Sequence, residues 1–265
     1  MFTRVKPINR MPDSRIIISS GEPAGIGPDI VAQIDARDFG ANLVVIGDRA
    51  MLQARASALG ANTTYVDYGD ADRDGTAIEV IDHALARESV PGKLDSANAS
   101  YVLGMLEKAC RACLDGEFDA MVTAPVQKDI INRAGIAFSG HTEFLADICQ
   151  VPRPVMLLLA DRLRVALITT HLPLRAVADA ITATAIREVL EILDRDLRSR
   201  FGITRPHIKV CGLNPHAGEN GYLGREEIDI IIPTLRALEG EGLHLSGPYP
   251  ADTLFTPGML LSLIH

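Results

Sequence analysis

Lys128, His141 and Thr142 are the first residues whose types and spacing suit a chemical role. Lys128 follows the apolar segment Ala120–Thr123, which is predicted to be a buried strand, and α/β proteins bind ligands beyond the carboxyl ends of such strands. His141 and Thr142 precede an apolar run, and a helix beginning there would direct N–H groups, a hydroxyl and an imidazole toward one point. This combination predicts a phosphate or carboxylate site. The alternative is a plain helix start, with Thr142 as the N-cap and Lys128 on the surface.

A second group consists of two histidines, His171 in TTHLP and His216 in NPHAGENG. Each follows a predicted strand, Arg164–Thr170 and His207–Leu213 respectively. If the two strands share an edge of one sheet, both imidazoles emerge at the same end and can hold a divalent metal, although a stable site needs a third ligand. Taken singly, each histidine is more often structural. The candidates for a third ligand are Glu219, Asp252 and a residue of another chain.

The glycine-rich segment SGEPAGIGP, residues 20–28, lies between a predicted strand and a predicted helix. Its glycines and prolines allow a tight turn and a close approach of the backbone to a ligand, and a helix start favours an anion. The spacing matches neither GxGxxG nor a P-loop, so it indicates neither a dinucleotide nor a nucleoside triphosphate. A structural turn and a binding loop both fit this segment.

Short β-rich segments alternate with longer helical patterns, and this alternation predicts an α/β fold. The predicted strands are Arg15–Ser20, Asn42–Gly47, Ala120–Thr123, Val155–Ala160, Arg164–Thr170 and His207–Leu213. One predicted helix begins at about Pro28. The other predicted helices cover Arg49–Leu59, Ala97–Leu114, Ala183–Arg198 and Arg225–Glu239. The polar stretch Asp67–Gly75 is predicted to be a surface loop.

The composition narrows the classes of partner and compartment. A net charge of −8 over 265 residues argues against nucleic acid as the main partner, since phosphate backbones require a basic surface. No apolar run approaches the length of a membrane span, and the N-terminal residues lack the apolar stretch of a signal peptide. We therefore expect a cytoplasmic protein without membrane contact. Cys110 and Cys113 form a CxxC pair, but without a second pair they are expected to be small packing residues on a helix.

Five motifs, in chain order, resemble one known family: GEPAGIGPD, VTAPVQKDIINRAGIAFSGHTEFLAD, THLPLRAV, NPHAGENGYLGREE and GPYPADTLF. They resemble 4-hydroxythreonine-4-phosphate dehydrogenase of vitamin B6 synthesis, from about Ile16 to Phe255. The resemblance implies an isocitrate/isopropylmalate dehydrogenase-like fold, with two α/β/α domains around a cleft. Residues 1–125 together with 250–265 would form the first domain, and residues 126–249 the second domain, with the metal and dimer contacts.

The resemblance also implies roles for the residues identified above. His171 and His216 correspond to two of three metal ligands, with zinc, magnesium and cobalt as candidate metals. His141 and Thr142 correspond to residues that bind a small phosphorylated hydroxy acid. The family implies a homodimer in which each active site is completed by the other subunit.

The implied reaction oxidises the hydroxyl beside the amino-bearing carbon of 4-phosphohydroxy-L-threonine, with hydride transfer to NAD or, alternatively, NADP. Loss of CO2 then gives 3-amino-2-oxopropyl phosphate. A divalent metal would lower the pKa of the hydroxyl and stabilise the enolate formed on decarboxylation. Two residues are predicted to be catalytic: Lys128 as a proton relay, and Asp252 as a neighbour of the metal or of the bound substrate.

Two features depart from the family pattern. Glu22 stands where the family usually has aspartate. After Phe255, the apolar ending GMLLSLIH stands where the family continues with a third metal histidine, in a His-Asp-Gln-Gly context, and with lysine, asparagine and arginine contacts to the substrate. We therefore expect a chain truncated at its C-terminus.

Three alternative functions stay open at this stage. The first is a dehydrogenase of 4-phospho-D-erythronate or 4-phospho-D-threonate, a close branch of the same family. The second is a phosphate acyltransferase of the phosphotransacetylase type, which requires neither NAD nor the histidine pair. The third is an inactive truncated remnant that binds phosphate weakly or dimerises.

Overall fold

Apolar or β-branched residues make up most of five short segments in the first part of the chain, and these segments form one parallel sheet. The computed structural model describes residues 14–70, 77–160, 163–256 and 258–259. The strands of this sheet lie in the order β3-β4-β2-β1-β5, and every pair is parallel. Their bounds are β1 Arg15–Ser19, β2 Asn42–Gly47, β3 Tyr65–Asp67, β4 Ile78–Asp82 and β5 Ala120–Thr123.

Helices cover this parallel sheet, as the burial of both of its faces requires. Adjacent residues of β1 point to opposite faces, so Ile17 packs in one apolar cluster and Ile18 in another. The first cluster includes Met105 and Leu106, and the second includes Leu52. The helices of this unit are α1 Gly27–Val31, α2 Arg49–Leu59, α3 Ala99–Leu114, α4 Lys128–Arg133 and α5 His141–Cys149.

Three backbone N–H groups of the glycine-rich segment between β1 and α1 are hydrogen-bonded within the protein. The backbone N–H of Glu22 donates to the carbonyl of Pro125 at 3.0 Å, and that of Gly25 donates to the carbonyl of Glu22 at 2.9 Å. The Glu22 carboxylate accepts from the N–H of Ala24 at 3.1 Å. Burial raises the pKa of Glu22, and the bond from Ala24 partly offsets this. Because these three N–H groups are already used, the binding-loop alternative is not supported for them.

Arg55, on α2, supports the other side of this turn. Its guanidinium donates to the carbonyl of Pro23 at 2.9 Å and to that of Gly25 at 3.3 Å. It also pairs with the Asp29 carboxylate at 2.6 Å. The Arg55 side chain is only 8% exposed, so these bonds replace the water that the loop carbonyls would otherwise contact.

The second unit, from Arg153 onward, contains two small sheets. β6 Leu157–Ala160 and β7 Leu163–Ala166 pair antiparallel, whereas β8 Ile208–Cys211 and β9 Leu245–Tyr249 pair parallel. Apolar side chains of α7 and α8 pack with β9 in one cluster. The helices of this unit are α6 Leu174–Ala180, α7 Ala183–Ser199, α8 Ile232–Gly240 and α9 Ala251–Leu254.

Several predicted elements are confirmed with the predicted bounds, namely β2, α2 and β5. Three strands, β3, β4 and β9, were not predicted. The segment 225–239 is not one α-helix, because a π-helical turn covers Glu227–Ile231 before α8 begins. The predicted loop Asp67–Gly75 begins with the last residue of β3, and its residues 71–75 lie outside the described residues.

The boundary between the two compact units lies in the sequence between Pro152 and Arg153. The domain limits expected from the sequence, residues 1–125 with 250–265 and residues 126–249, stay a prediction. The apolar ending GMLLSLIH falls mostly outside the described residues. Within the described ranges, none of the helices has both the length and the apolar character that crossing a bilayer requires.

The CxxC cysteines lie on α3 and do not pair with each other. Cys110 is buried, and its sulfur lies 3.6 Å from that of Cys149 on α5 without a disulfide. Burial raises the pKa of Cys110 to about 11, with a further contribution from Cys149. A thiol with this pKa is a weak nucleophile and metal ligand at neutral pH. The structure thus agrees with the interpretation of this pair as packing residues.

Replacing Arg55 by methionine should destabilise the protein, because the turn carbonyls and Asp29 would lose their buried partner. We expect a loss of about 2–4 kcal/mol and a fall in Tm of roughly 5–10 °C, measured by calorimetry. Arg49→Met is the matched control on the same helix, since Arg49 pairs with Asp67 on the surface and such pairs contribute about 1 kcal/mol or less. Equal effects of the two substitutions would contradict this role of Arg55.

Candidate active site

The first candidate site lies at the start of α5, beside the first residue of α4. Gly140 is the N-cap of α5 and provides no side chain to accept from the N–H groups of the first turn. A Cβ at Gly140 would lie 3.1 Å from Lys128 Nζ and 3.0 Å from the Glu143 carboxylate, so both charged groups lie close to this glycine. Thr142 is the second residue of α5, and the alternative in which it serves as the N-cap is therefore wrong.

His141 is a neutral imidazole at neutral pH. Burial lowers its pKa from 6.5, and the nearby Lys128 ammonium lowers the pKa further. Its Nε2 atom is buried and has no hydrogen-bond partner among the residues that the structure describes. An ammonium, a helix N-terminus and an imidazole with an unpaired buried nitrogen are together suited to a phosphate or carboxylate.

The two histidines predicted to bind metal lie in the second unit, and both have left-handed backbone conformations. His171 has a φ of 55° and His216 a φ of 53°. Non-glycine residues adopt such angles infrequently, and they concentrate at functional sites, where the surrounding structure holds them. Both side chains are exposed, so burial does not explain these conformations.

The sheet arrangement assumed for these histidines is wrong. β7, which precedes His171, pairs only with β6, and β8, which precedes His216, pairs with β9 in a separate sheet of the described chain. β7 also ends at Ala166 rather than at residue 170. The two imidazoles therefore do not emerge from neighbouring strands of one sheet.

One of the candidate third ligands lies beside His216. The Asp252 carboxylate is 3.6 Å from His216 Nδ1, and both side chains are exposed. An imidazole nitrogen and a carboxylate oxygen are both zinc ligands. In the described residues, however, no group of three or more histidine, cysteine or acidic side chains is close enough to hold an ion.

Glu227 is a buried residue beside His216 in the chain fold that the sequence does not single out. It is only 1% exposed, and its carboxylate accepts hydrogen bonds from the chain just before His216. Two adjacent glutamates in the segment GREEID are ordinary in an exposed helix, so the sequence contains no signal that one of them is buried.

Comparison with known proteins establishes the family. Residues 40–262 match the family described as "Pyridoxal phosphate biosynthetic protein PdxA". The chain belongs to this family. The resemblance stated from the motifs is thereby confirmed, and members of the PdxA family with solved structures share the α/β fold and its mostly parallel central sheet.

Three similar proteins share the name 4-hydroxythreonine-4-phosphate dehydrogenase. The protein of Thioalkalivibrio sulfidiphilus is 55% identical over 247 residues, which are 92% of this chain and 75% of the relative. That of Aromatoleum aromaticum is 52% identical over 245 residues, 92% of this chain and 74% of the relative. The crystal structure from Klebsiella pneumoniae is 36% identical, with a TM-score of 0.82 over 92% of this chain and 77% of that chain.

Removing the ammonium of Lys128 should raise the pKa of His141, while leaving it below 6.5 because the ring stays buried. We expect this shift in an NMR titration of Lys128→Met. Lys108→Met is the matched control, because Lys108 Nζ lies 3.0 Å from His83 Nδ1, and Lys108 adds to the lowering of the pKa of His83 caused by burial. The Lys108→Met substitution should raise the pKa of His83 and leave that of His141 unchanged. An unchanged pKa of His141 in the Lys128→Met variant would contradict this coupling.

Proposed function

We propose that this chain is an NAD-dependent, metal-assisted 4-hydroxythreonine-4-phosphate dehydrogenase in pyridoxal phosphate biosynthesis. The observation that supports this most strongly is its 55% identity to a relative of that name over 92% of the chain. The relatives' name specifies a phosphorylated hydroxy-amino acid as substrate and oxidation as the reaction. The finer fold expected from the resemblance, that of isocitrate and isopropylmalate dehydrogenases, belongs to the same proposal.

The start of α5 is proposed to bind the substrate phosphate. Lys128 supplies a positive charge, and the first turn of α5 presents N–H groups that Gly140 does not cap. His141 adds a hydrogen bond through Nε2, which is buried and unpaired among the described residues. Thr142 contributes a hydroxyl from the same turn. This interaction does not need a basic protein, because the charge is local.

His171 and His216 are proposed to hold a divalent metal, with Asp252 beside it. The donor chemistry fits, since imidazole nitrogens and a carboxylate suit zinc or cobalt, and magnesium is the oxygen-preferring alternative. His216 Nδ1 and the Asp252 carboxylate are 3.6 Å apart, so the two groups are near each other but not hydrogen-bonded. When bound, the metal would supply Lewis-acid polarisation of the substrate oxygens.

The chain's own residues have complementary tasks in the proposed reaction. The groups at α5 would orient the substrate through its phosphate, so that its reacting carbon is held in place when NAD is bound. The nicotinamide is the redox group, so the protein contributes position and charge. Asp252 is proposed to orient or deprotonate the reacting hydroxyl, and the proton-relay role of Lys128 stays a prediction beside its binding role.

A homodimer is proposed from the second unit. Leu158 and Leu159 are adjacent on β6, so their side chains point to opposite faces, yet both are more than half exposed. On α6, Leu174 is 90% exposed. Exposed apolar side chains on a two-stranded sheet are typical of surfaces that bind another chain. A second copy of this chain is the partner that the proposal requires. The cytoplasm stays the predicted compartment.

Incubation with 4-phosphohydroxythreonine and NAD should produce NADH, and chelation of the metal should abolish it. His171→Ala and His216→Ala should lose bound metal and lower kcat by about 100-fold or more. His141→Ala should chiefly raise KM, because it removes a phosphate contact. His244→Gln, in the same unit as the metal histidines, is the control and should retain metal and turnover.

The alternatives give different results in the same preparation. Faster turnover of 4-phospho-D-erythronate or 4-phospho-D-threonate would place the chain in the sugar-acid branch. Metal-independent acyl phosphate formation from acyl-CoA and phosphate would overturn the dehydrogenase proposal. Folded protein that turns over none of these substrates would support an inactive remnant.

Leu159→Asp should weaken the homodimer, which sedimentation velocity would detect as a shift toward monomer. Leu114→Asp is the matched control, because Leu114 is 57% exposed on the first unit and Leu159 is 58% exposed. A wild-type protein that is monomeric at micromolar concentration would contradict the dimer itself.

A further inference from the structure

The turn that presents His216 has an unusual backbone. Every residue from 216 to 220 has a left-handed conformation, with φ between 43° and 79°. Of these five residues only Gly218 adopts such angles without steric cost. A run of this kind persists only when surrounding contacts hold it.

A single buried carboxylate lies beneath this turn. Glu227 Oε1 accepts hydrogen bonds from the N–H groups of Leu213 and Asn214, both at 2.7 Å. Its Oε2 accepts from the Asn214 side-chain amide at 2.9 Å. These three bonds fix the two residues immediately before Pro215 and His216, and hence the direction in which the chain enters the left-handed turn.

The turn is also packed directly on the Glu227 carboxylate. A Cβ at Gly218 would lie 2.7 Å from Glu227 Oε2, and a Cβ at Gly212 would lie 3.1 Å from Oε1 and 2.9 Å from Ala217. Glycine at these positions allows the backbone to approach the carboxylate on both sides. Glu227 therefore contacts the chain before the turn through hydrogen bonds and the turn itself through close packing.

From this arrangement we infer that Glu227 is a positioning residue, which holds the left-handed turn so that His216 faces the metal. The inference rests on the proposed function, in which His216 is a metal ligand. Glu227 does not contact the metal in this scheme. It acts through Asn214 and the backbone, as the partners behind metal ligands commonly do.

The test is the metal affinity of Glu227→Gln, measured with Zn²⁺ against a chromophoric chelator and with Co²⁺ by its ligand-field spectrum. Glutamine keeps the shape, but its amide nitrogen would face the Asn214 amide, donor against donor. We expect Kd for Zn²⁺ to rise about 10- to 100-fold, together with an altered Co²⁺ spectrum, and Tm of the metal-free protein to fall because the turn loses a bond. Both metal measurements are made at a temperature at which the metal-free variant is fully folded, so an altered Co²⁺ spectrum is the readout that general destabilisation would not produce.

Glu226→Gln is the matched control. Glu226 is adjacent in sequence and its carboxylate accepts from the same Asn214 amide at 2.7 Å, but neither of the two backbone bonds involves it. It loses the same charge and should bind Zn²⁺ within about 2-fold of wild type. If Glu227→Gln does not fold, Asn214→Ala is the variant to measure. It removes one of the three bonds to Glu227 and should raise Kd for Zn²⁺ by a smaller factor. An unchanged Zn²⁺ affinity of Asn214→Ala would overturn the inference.

The failure of this inference differs from the failure of the proposed function. If His216→Ala weakens Zn²⁺ binding while Glu227→Gln binds like wild type, the metal site stands and the role of Glu227 is wrong. If His216→Ala binds Zn²⁺ as wild type does, the proposed metal site itself is wrong. Equal weakening by Glu226→Gln and Glu227→Gln would show a charge effect and would also overturn the inference.

Discussion

Hydrogen bonds between buried ionic side chains and loop backbone are the constraint on which both units depend. Arg55 donates to loop carbonyls in the first unit, and Glu227 accepts from loop N–H groups in the second. For the turn at residues 216–220, the magnitudes are comparable. Four non-glycine residues in left-handed conformations cost about 1–3 kcal/mol each, and three bonds to a carboxylate contribute about 1.5–3 kcal/mol each. Without the carboxylate the strained turn would lose most of its support.

The sequence was sufficient for the elements whose patterns are local. Apolar runs bounded by turn residues located β2 and β5, and with them the position of Lys128 just beyond a strand end. The sequence was also sufficient to identify the family, because five motifs in the same chain order are specific to it. The hairpin of β6 and β7 was missed, although only two residues separate the strands, a spacing compatible with antiparallel pairing alone. The second strand is predicted from the sequence to extend to Thr170, and convergence of the histidines is conditional on a shared sheet; the pairing of β7 with β6 shows that this condition is not met.

The contacts that support the sites could not be predicted, because they depend on tertiary structure. Nothing in the hydrophobic pattern distinguishes Glu227, which is buried, from Glu226 beside it, which is partly exposed. Arg55 is likewise one of two arginines on α2, and arginine is a residue type that is usually exposed. The left-handed angles at His171 and His216 could not be predicted either, because histidine adopts such angles more often than most residues but still in a small minority of cases.

The neutral state of His141 has a consequence for the proposed phosphate site. Burial and the Lys128 ammonium both lower the pKa of this imidazole, so at neutral pH the site has the Lys128 cation beside the Glu143 carboxylate rather than a second cation. A bound phosphate would offset the repulsion by Lys128 and raise the pKa of His141. Protonation and phosphate binding would then favour each other, by the reciprocity that holds for any two linked binding events. The unpaired Nε2 would donate to the phosphate in either state, directly as the Nε2–H tautomer or after protonation.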